Sequence, residues 1–319
     1  MQLFRFAVQG TRATSAGEWR DLARSVQDLG YTTLFVADHY LGPGPAARES
    51  RMPPQHLAPI TAMAMAAAST ETLRVGCRVF CAGYHVPAVL AKEMATLDLL
   101  SDGRLEFGIG AGWSEREFTA LGLPFAPAPR RVDQLEEVVA LVKAHWSGEP
   151  LDVRGEFATA VDFAGLPIPV QRPRPPIMIG GSRRRVLSFA ARAADIVSIA
   201  NVPFDEVNGV GRTPPEEAAH RFGVVREAAG ERFGELEIES SPFFVRITDA
   251  PEAAAAKLAE ALHTPPAVLL DHPNVLIGTV DEIVDRLQER REVFGPNYIT
   301  VQQSEAERFA PVAARLAGK

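Results

Sequence analysis

Short apolar runs alternate with helical spacings from one end of the chain to the other. The strand-like runs are Phe4 to Val8, Thr33 to Ala37, Leu73 to Val79, Leu105 to Ile109, Ile177 to Ile179, Ile196 to Ile199, Phe243 to Ile247 and Tyr298 to Val301. Between them, apolar residues recur at helical intervals. Trp19, Leu22, Ala23, Val26 and Leu29 form one such set, Leu135, Val138, Val139, Val142 and Trp146 a second, and Val280, Ile283, Val284 and Leu287 a third. Strands that are apolar throughout, rather than on every second residue, imply a parallel sheet covered by helices. Eight β/α units predict an α/β fold of the closed (β/α)8 type, a TIM barrel, rather than an open doubly wound sheet. The open sheet usually carries a dinucleotide-binding turn. Here the nearest candidate, Gly108-Ile109-Gly110-Ala111-Gly112-Trp113, lacks the third glycine of G-x-G-x-x-G, and Gly180-Gly181 is not followed by the Gly-Lys-Ser/Thr of a phosphate loop.

A barrel of roughly 250 residues leaves about 70 of the 319 for insertions. Pro- and Gly-rich stretches place these near 38–59, 112–129, 148–176 and 200–215, the third containing PIPVQRPRPP. No low-complexity linker or shift in composition divides the chain, so one domain over 1–319 is expected. The 33 basic and 40 acidic residues give a net charge of −7, with no basic run beyond Arg183 to Arg185. Nucleic acid is therefore not an expected partner. The opening MQLFRFAVQG runs straight into a strand pattern, and no stretch of about 20 apolar residues follows. No membrane association and a cytoplasmic location are expected. Cys77 and Cys81 would sit about 13 Å apart on an extended strand, too far for a disulfide, so both are expected reduced.

In a parallel barrel, residues at the C-terminal ends of strands reach the ligand. Asp38-His39 directly follows the second strand, and histidine titrates near neutral pH, which suits an acid, base or hydrogen-bond donor. The bland alternative is a loop-capping Asp and a surface His. Arg78 ends the third strand, where it is either liganded or reaches solvent over a packed stem. Gly108, Gly110 and Gly112 fall on one side of the fourth strand, leaving room for a flat ring to approach the backbone, and Trp113 then offers an aromatic wall. A bulge or turn would also explain those glycines. Gly180-Gly181-Ser182-Arg183 is a strand end followed by a helix start, whose backbone N–H groups can hold a phosphate. A plain βα turn with Ser182 as N-cap and solvated arginines is the alternative. The seven histidines include no His-x-His pair at a strand end and no His-Glu-x-x-His, so no metal site is expected. There is no Gly-x-Ser-x-Gly either, and Glu136-Glu137 reads as the solvated face of a helix.

Taken together, the segments around TTLFVADHY, LRVGCRV, YHVPAVLAKEMATLDLLSDGRLEFGIGAGW, the E-F-x-A-L-G-L-P-F stretch with its R-x-x-x-L-E-E helix, and PRPPIMIGGSRRRVLSFAARAADIV resemble the luciferase-like monooxygenase family. They run in matching order from about Phe4 to Ile199, and the last third fits more weakly. The sequence looks most like the subgroup that uses coenzyme F420, a hydroxylated 5-deazaflavin, rather than FMN. The resemblance implies a ring lying at the C-terminal mouth of the barrel and a phosphate-bearing tail on Gly180, Gly181, Ser182 and Arg183. It also implies a bulge with a non-prolyl cis peptide near Arg78-Val79, Gln9 facing the ring, and an Asp-His pair at Asp38-His39 whose histidine acts on the substrate proton. Two departures stand out. The usual Arg-His-Pro before the third helix is His85-Val86-Pro87, and Trp113 occupies the position where a sugar-phosphate dehydrogenase subgroup has a catalytic Glu, which argues against sugar-phosphate oxidation.

The resemblance thus implies a deazaflavin-dependent oxidoreductase that moves a hydride between cofactor and a small or bulky organic substrate, reducing an activated C=C or C=N bond. His39 or a water would complete the proton transfer. An FMN-dependent monooxygenase, a non-catalytic flavin-binding protein and a metal-dependent barrel hydrolase are the rival readings. The insertions are expected to line the substrate pocket with Met52, Phe118, Phe125 and Phe204, or to use those side chains to pack onto the barrel. The family also implies a homodimer through helices of the first half.

Overall fold

The computed structural model describes residues 2–49 and 53–319. Eight strands carry the fold: β1 (Arg5–Gln9), β2 (Thr33–Val36), β3 (Arg74–Cys77), β4 (Leu105–Gly110), β5 (Ile177–Gly181), β6 (Ile196–Ile199), β7 (Glu237–Ser240) and β8 (Tyr298–Gln302). A helix follows each: α1 (Ala16–Asp28), α2 (Pro59–Ala68), α3 (Pro87–Leu100), α4 (Ala128–Ser147), α5 (Arg184–Ala193), α6 (Pro214–Ala229), α7 (Val280–Val293) and α8 (Ala306–Leu316). The strand order is β3-β2-β1-β8-β7-β6-β5-β4, and β4 pairs back onto β3, closing a (β/α)8 barrel. By packing, the chain divides into two compact units: Gln9–Gln27 with Thr33–Gly180, and Met1–Val8 with Asp28–Thr32 and Gly181–Lys319.

In the unit containing Thr33–Gly180, the helical stripe found by spacing in α4 is the buried one, while in α1 Trp19, Ala23 and Val26 are buried and Leu22 is half-buried. Leu135, Val138, Val139, Val142 and Trp146 of α4 all face inward. The two large indoles pack without leaving a polar atom stranded, because Trp146 Nε1 donates to the Ala91 carbonyl (2.9 Å) and Trp19 Nε1 to that of Ala62 (2.9 Å). At the start of β4, the buried Glu106 carboxylate accepts from Arg74 Nε (2.8 Å) and Thr33 Oγ1 (3.2 Å). Buried Asp98 of α3 clasps the proline-rich insertion, accepting from the amides of Val170 (2.7 Å) and Gln171 (3.0 Å) and from Gln171 Nε2 (2.7 Å). An antiparallel hairpin of Leu151–Arg154 and Thr159–Phe163 precedes that insertion. Glu137 is not solvated as its helix position suggests: its carboxylate holds the hairpin turn through the amides of Phe157 (2.7 Å) and Ala158 (3.1 Å).

In the other unit one expected strand is misplaced. Phe244–Ile247 is extended, but it pairs in parallel with Val275–Gly278 outside the barrel, and Phe244 packs on a small core of Ala255, Val275 and Ile277. The seventh barrel strand is Glu237–Ser240, in register with Ile196–Ile199 on one side and Tyr298–Ile299 on the other. Its two carboxylates hid it from an apolar-run search. Glu239 is fully buried and accepts a 2.6 Å hydrogen bond from Ser198 Oγ on β6, while Glu237 meets Arg5 at 2.6 Å. Thr279 and Glu282 form a reciprocal cap that starts α7.

Candidate active site

The geometry is set by how β3 ends. It pairs with β4 at Val75↔Leu105 and Gly76↔Glu106, and pairing resumes at Phe80↔Ile109 and Cys81↔Gly110, so the register has slipped by one residue across Arg78-Val79. That is a β-bulge, and the Arg78–Val79 peptide is cis. The Arg78 amide donates to the Val36 carbonyl at the end of β2 (2.8 Å), and its guanidinium donates to Gln9 Oε1 (3.0 Å). The glycines of β4 serve this bulge. A Cβ on Gly108 would lie 2.1 Å from the Cys77 carbonyl oxygen, and one on Gly110 would lie 2.9 Å from Val79 Cγ2. The space expected to admit a ring beside Gly108 and Gly110 is thus taken by the chain itself. Gly112 lies beyond the strand with φ +77°, where Cys81 Sγ and Phe118 leave no room for a side chain.

Directly after β2, Asp38 is buried and fully engaged. One oxygen accepts from the Tyr40 hydroxyl (2.8 Å), and the other from the Cys81 amide (2.8 Å) and His85 Nε2 (2.8 Å). Asp38, expected beside His39 in the chemistry, is held by these three donors as a hub of the turn around it. His39 is the residue left facing outward, with 23% of its side chain exposed. Its ring stands edge-on to Trp113, with centroids 5.9 Å apart, and Trp113 itself is 61% exposed. Behind the ring, His39 Nδ1 lies 2.6 Å from Glu117 Oε2.

Glu117 is the residue that sequence reasoning missed. It belongs to a short helix, Glu115–Ala120, whose N-cap Ser114 accepts from the Glu117 amide. Ser114-x-x-Glu117 therefore looks like a capping box, but no reciprocal bond forms, and the Glu117 carboxylate turns to His39 and to the Tyr40 amide (2.6 Å). Burial pushes its carboxyl up, yet hydrogen bonds from His39, the Tyr40 amide and the Tyr84 hydroxyl together hold it below the ordinary carboxylate value. The hydroxyls of Tyr40 and Tyr84 are pushed well above theirs, first by burial, then by Asp38 for Tyr40 and by Cys81 and Glu117 for Tyr84. Burial likewise pushes the Cys81 thiol up to about 12 and raises Cys77, so both stay protonated at neutral pH. Both cysteines are free.

At the end of β5, a Cβ on Gly181 would come within 2.3 Å of Val186, so α5 sits directly on that backbone. Its N-cap is Arg183, not Ser182; no side chain caps the helix, and no acidic residue lies in its first turn. Those first-turn N–H groups suit an anion. Of the following arginines, Arg184 is paired with Glu227 (3.0 Å). The loop aromatics pack rather than line an opening. Buried Phe118 meets Tyr84 (4.7 Å) and Phe125 (5.2 Å), and Phe204 stacks on His272 (4.3 Å) and meets Phe244 (5.5 Å). Met52 lies outside the described residues. Among the described residues no group of three or more His, Cys, Asp or Glu could hold a metal ion, and no helix is long and apolar enough to cross a membrane.

Residues 1–268 match the model of the luciferase-like monooxygenases. Among curated proteins, the FMNH(2)-dependent dimethylsulfone monooxygenase of Pseudomonas putida is 34% identical over 128 residues, 40% of this chain and 35% of that protein. The F420-dependent glucose-6-phosphate dehydrogenase of Beutenbergia cavernae is 32% identical over 157 residues, 45% of this chain and 43% of that protein. Each match spans less than half of the relative's length. The coenzyme F420-dependent tetrahydromethanopterin reductase of Methanopyrus kandleri shares the fold with a TM-score of 0.74 at 17% identity, over 99% of both chains.

Proposed function

The chain belongs to the luciferase-like monooxygenase family, and from that premise we propose that it is a deazaflavin-dependent oxidoreductase that reduces an activated C=C or C=N bond of an organic substrate. The observation that carries this reading is the His39 ring, backed by a buried carboxylate and facing outward beside an exposed tryptophan. Similarity to an F420-dependent dehydrogenase supports the choice of cofactor. The uncapped start of α5 suits an anionic tail, which Gly180, Gly181, Ser182 and Arg183 would hold. Gln9, Arg78 and Val79 at the bulge and Trp113 as an aromatic wall are assigned to the ring end, while Gly110 and Gly112 act indirectly, by making room for Val79, Cys81 and Phe118.

When bound, the reduced deazaflavin supplies a hydride, two electrons with one hydrogen. Addition across a double bond then needs one proton at the adjoining atom. His39 supplies it: the Nε2–H bond breaks, the new bond to substrate forms, and the ring is left neutral and recovers a proton from water. Trp113 and the bulge orient and exclude solvent, with no charge of their own to contribute beyond Arg78. His39→Ala is expected to lower kcat about 100-fold or more, the usual worth of a positioned general acid, at unchanged cofactor affinity. Wild-type turnover in that variant would remove His39 from the mechanism.

A second reading, an FMN-dependent monooxygenase, is favoured by the similarity to the dimethylsulfone enzyme. Substrate-dependent oxygen uptake with FMN would select it. We also assign a homodimer contact to the outer faces of α2 and α3, where Val86, Val89 and Leu100 stand exposed beside a groove of about 360 Å³ lined by Ile60, Ala64, Leu97 and Phe163. Leu100→Glu is expected to convert a dimer to monomers in sedimentation; a wild-type monomer would refute the assignment.

A further inference from the structure

We propose that Glu117 is a positioning residue that fixes the tautomer of His39, keeping a proton on Nδ1 so that Nε2 is the nitrogen that exchanges one with the substrate. The inference rests on the reading of His39 as the proton donor. At 2.6 Å, a bare Nδ1 lone pair facing a carboxylate oxygen would be repelled, so one hydrogen must lie between the two atoms. Glu117 is already surrounded by donors, with the Tyr40 amide at 2.6 Å on its other oxygen and the Tyr84 hydroxyl also bonding to it. Each donor favours the anion, and an ionised carboxylate only accepts, so the shared hydrogen belongs to Nδ1. The neutral ring then carries its lone pair on Nε2 and the cationic ring carries N–H there. In either state the exchangeable site is the same atom. When the proton leaves Nε2, Glu117 keeps its charge and the Nδ1 bond is retained, so the ring does not need to turn.

The neighbouring pair reinforces the point. His85 meets Asp38 through Nε2, the opposite nitrogen, at 2.8 Å. Tyr40 joins the two pairs, its amide on Glu117 and its hydroxyl on Asp38. Two adjacent carboxylates thus hold two histidines in opposite senses.

Long-range proton–nitrogen NMR spectra of the full chain, labelled with 15N-histidine, test this without cofactor. At alkaline pH, with His39→Ala used to assign the signal, His39 is expected to show a protonated Nδ1 and a bare Nε2. In Glu117→Leu, which removes the acceptor, the signal is expected to move to the Nε2–H form or a mixture, with kcat falling roughly 10- to 100-fold at unchanged KM. A wild-type His39 in the Nε2–H form, or an unmoved tautomer in a folded Glu117→Leu variant, would overturn the proposal. If that variant does not fold, the wild-type spectrum alone decides. Failure to turn over with the deazaflavin would count against the proposed function while leaving the tautomer result standing.

Discussion

His39 could be singled out from the sequence because it follows an apolar strand, and strand ends face the ligand in a barrel. What holds it could not. Glu117 lies 78 residues away in sequence, and its local pattern suggests only a cap. Asp38 could be placed but its task could not, since the three donors that occupy it come partly from the bulge after β3. His145 shows the converse, a histidine that reads as a helix-end residue and proves fully buried. Neither ring nitrogen has a hydrogen-bond partner, and the backbone of Gly165 packs on the ring. Burial, and then the charge of Lys92, lowers its pKa below the usual 6.5, and burial does the same to His272. The unfolded chain therefore takes up these protons first as the pH falls. The stability they contribute is complete above about pH 6.5 and is lost as the pH drops towards the folded-state values. Urea unfolding between about pH 8 and pH 5 is expected to show this loss, and His145→Leu should shrink it; an unchanged slope would mean that the imidazole is not buried neutral.

At the scale of elements, the expected helices and seven of the eight expected barrel strands could be read from apolar spacing. The exception, Glu237–Ser240, fails that search because its buried face is a carboxylate bonded to Ser198, and only the neighbouring strand explains why an acid belongs there. The bulge was legible through family resemblance, but its cost to β4 was not: Gly108 and Gly110 exist to let Cys77 and Val79 approach. Gly108→Ala, with its Cβ 2.1 Å from backbone, is expected to destabilise by about 3 kcal/mol, the upper end of the usual cost of overpacking. Gly223→Ala in α6, where nothing lies within 4 Å, serves as the control and should stabilise by about 0.5–1 kcal/mol. Similar denaturation midpoints for the two variants would contradict the described packing.

For the whole molecule, the pattern of alternating units was enough to give the barrel, because a closed parallel sheet leaves an apolar signature in seven of its eight strands, Glu237–Ser240 being the exception. The substrate left no comparable mark. Insertion aromatics that could have lined its pocket are spent on packing, Phe118 against Tyr84 and Phe204 against His272. On the proposed reading, a net charge of −7 means that an anionic cofactor would have to be held by local groups, and the uncapped start of α5 is the place assigned to it. The choice between a deazaflavin and FMN is the central claim, since it separates hydride transfer from oxygen chemistry. Parallel fluorescence titrations of the purified chain with coenzyme F420 and with FMN decide it. Saturable binding of the deazaflavin with weak or no binding of FMN is the expected result; tight FMN binding with no response to the deazaflavin would contradict it.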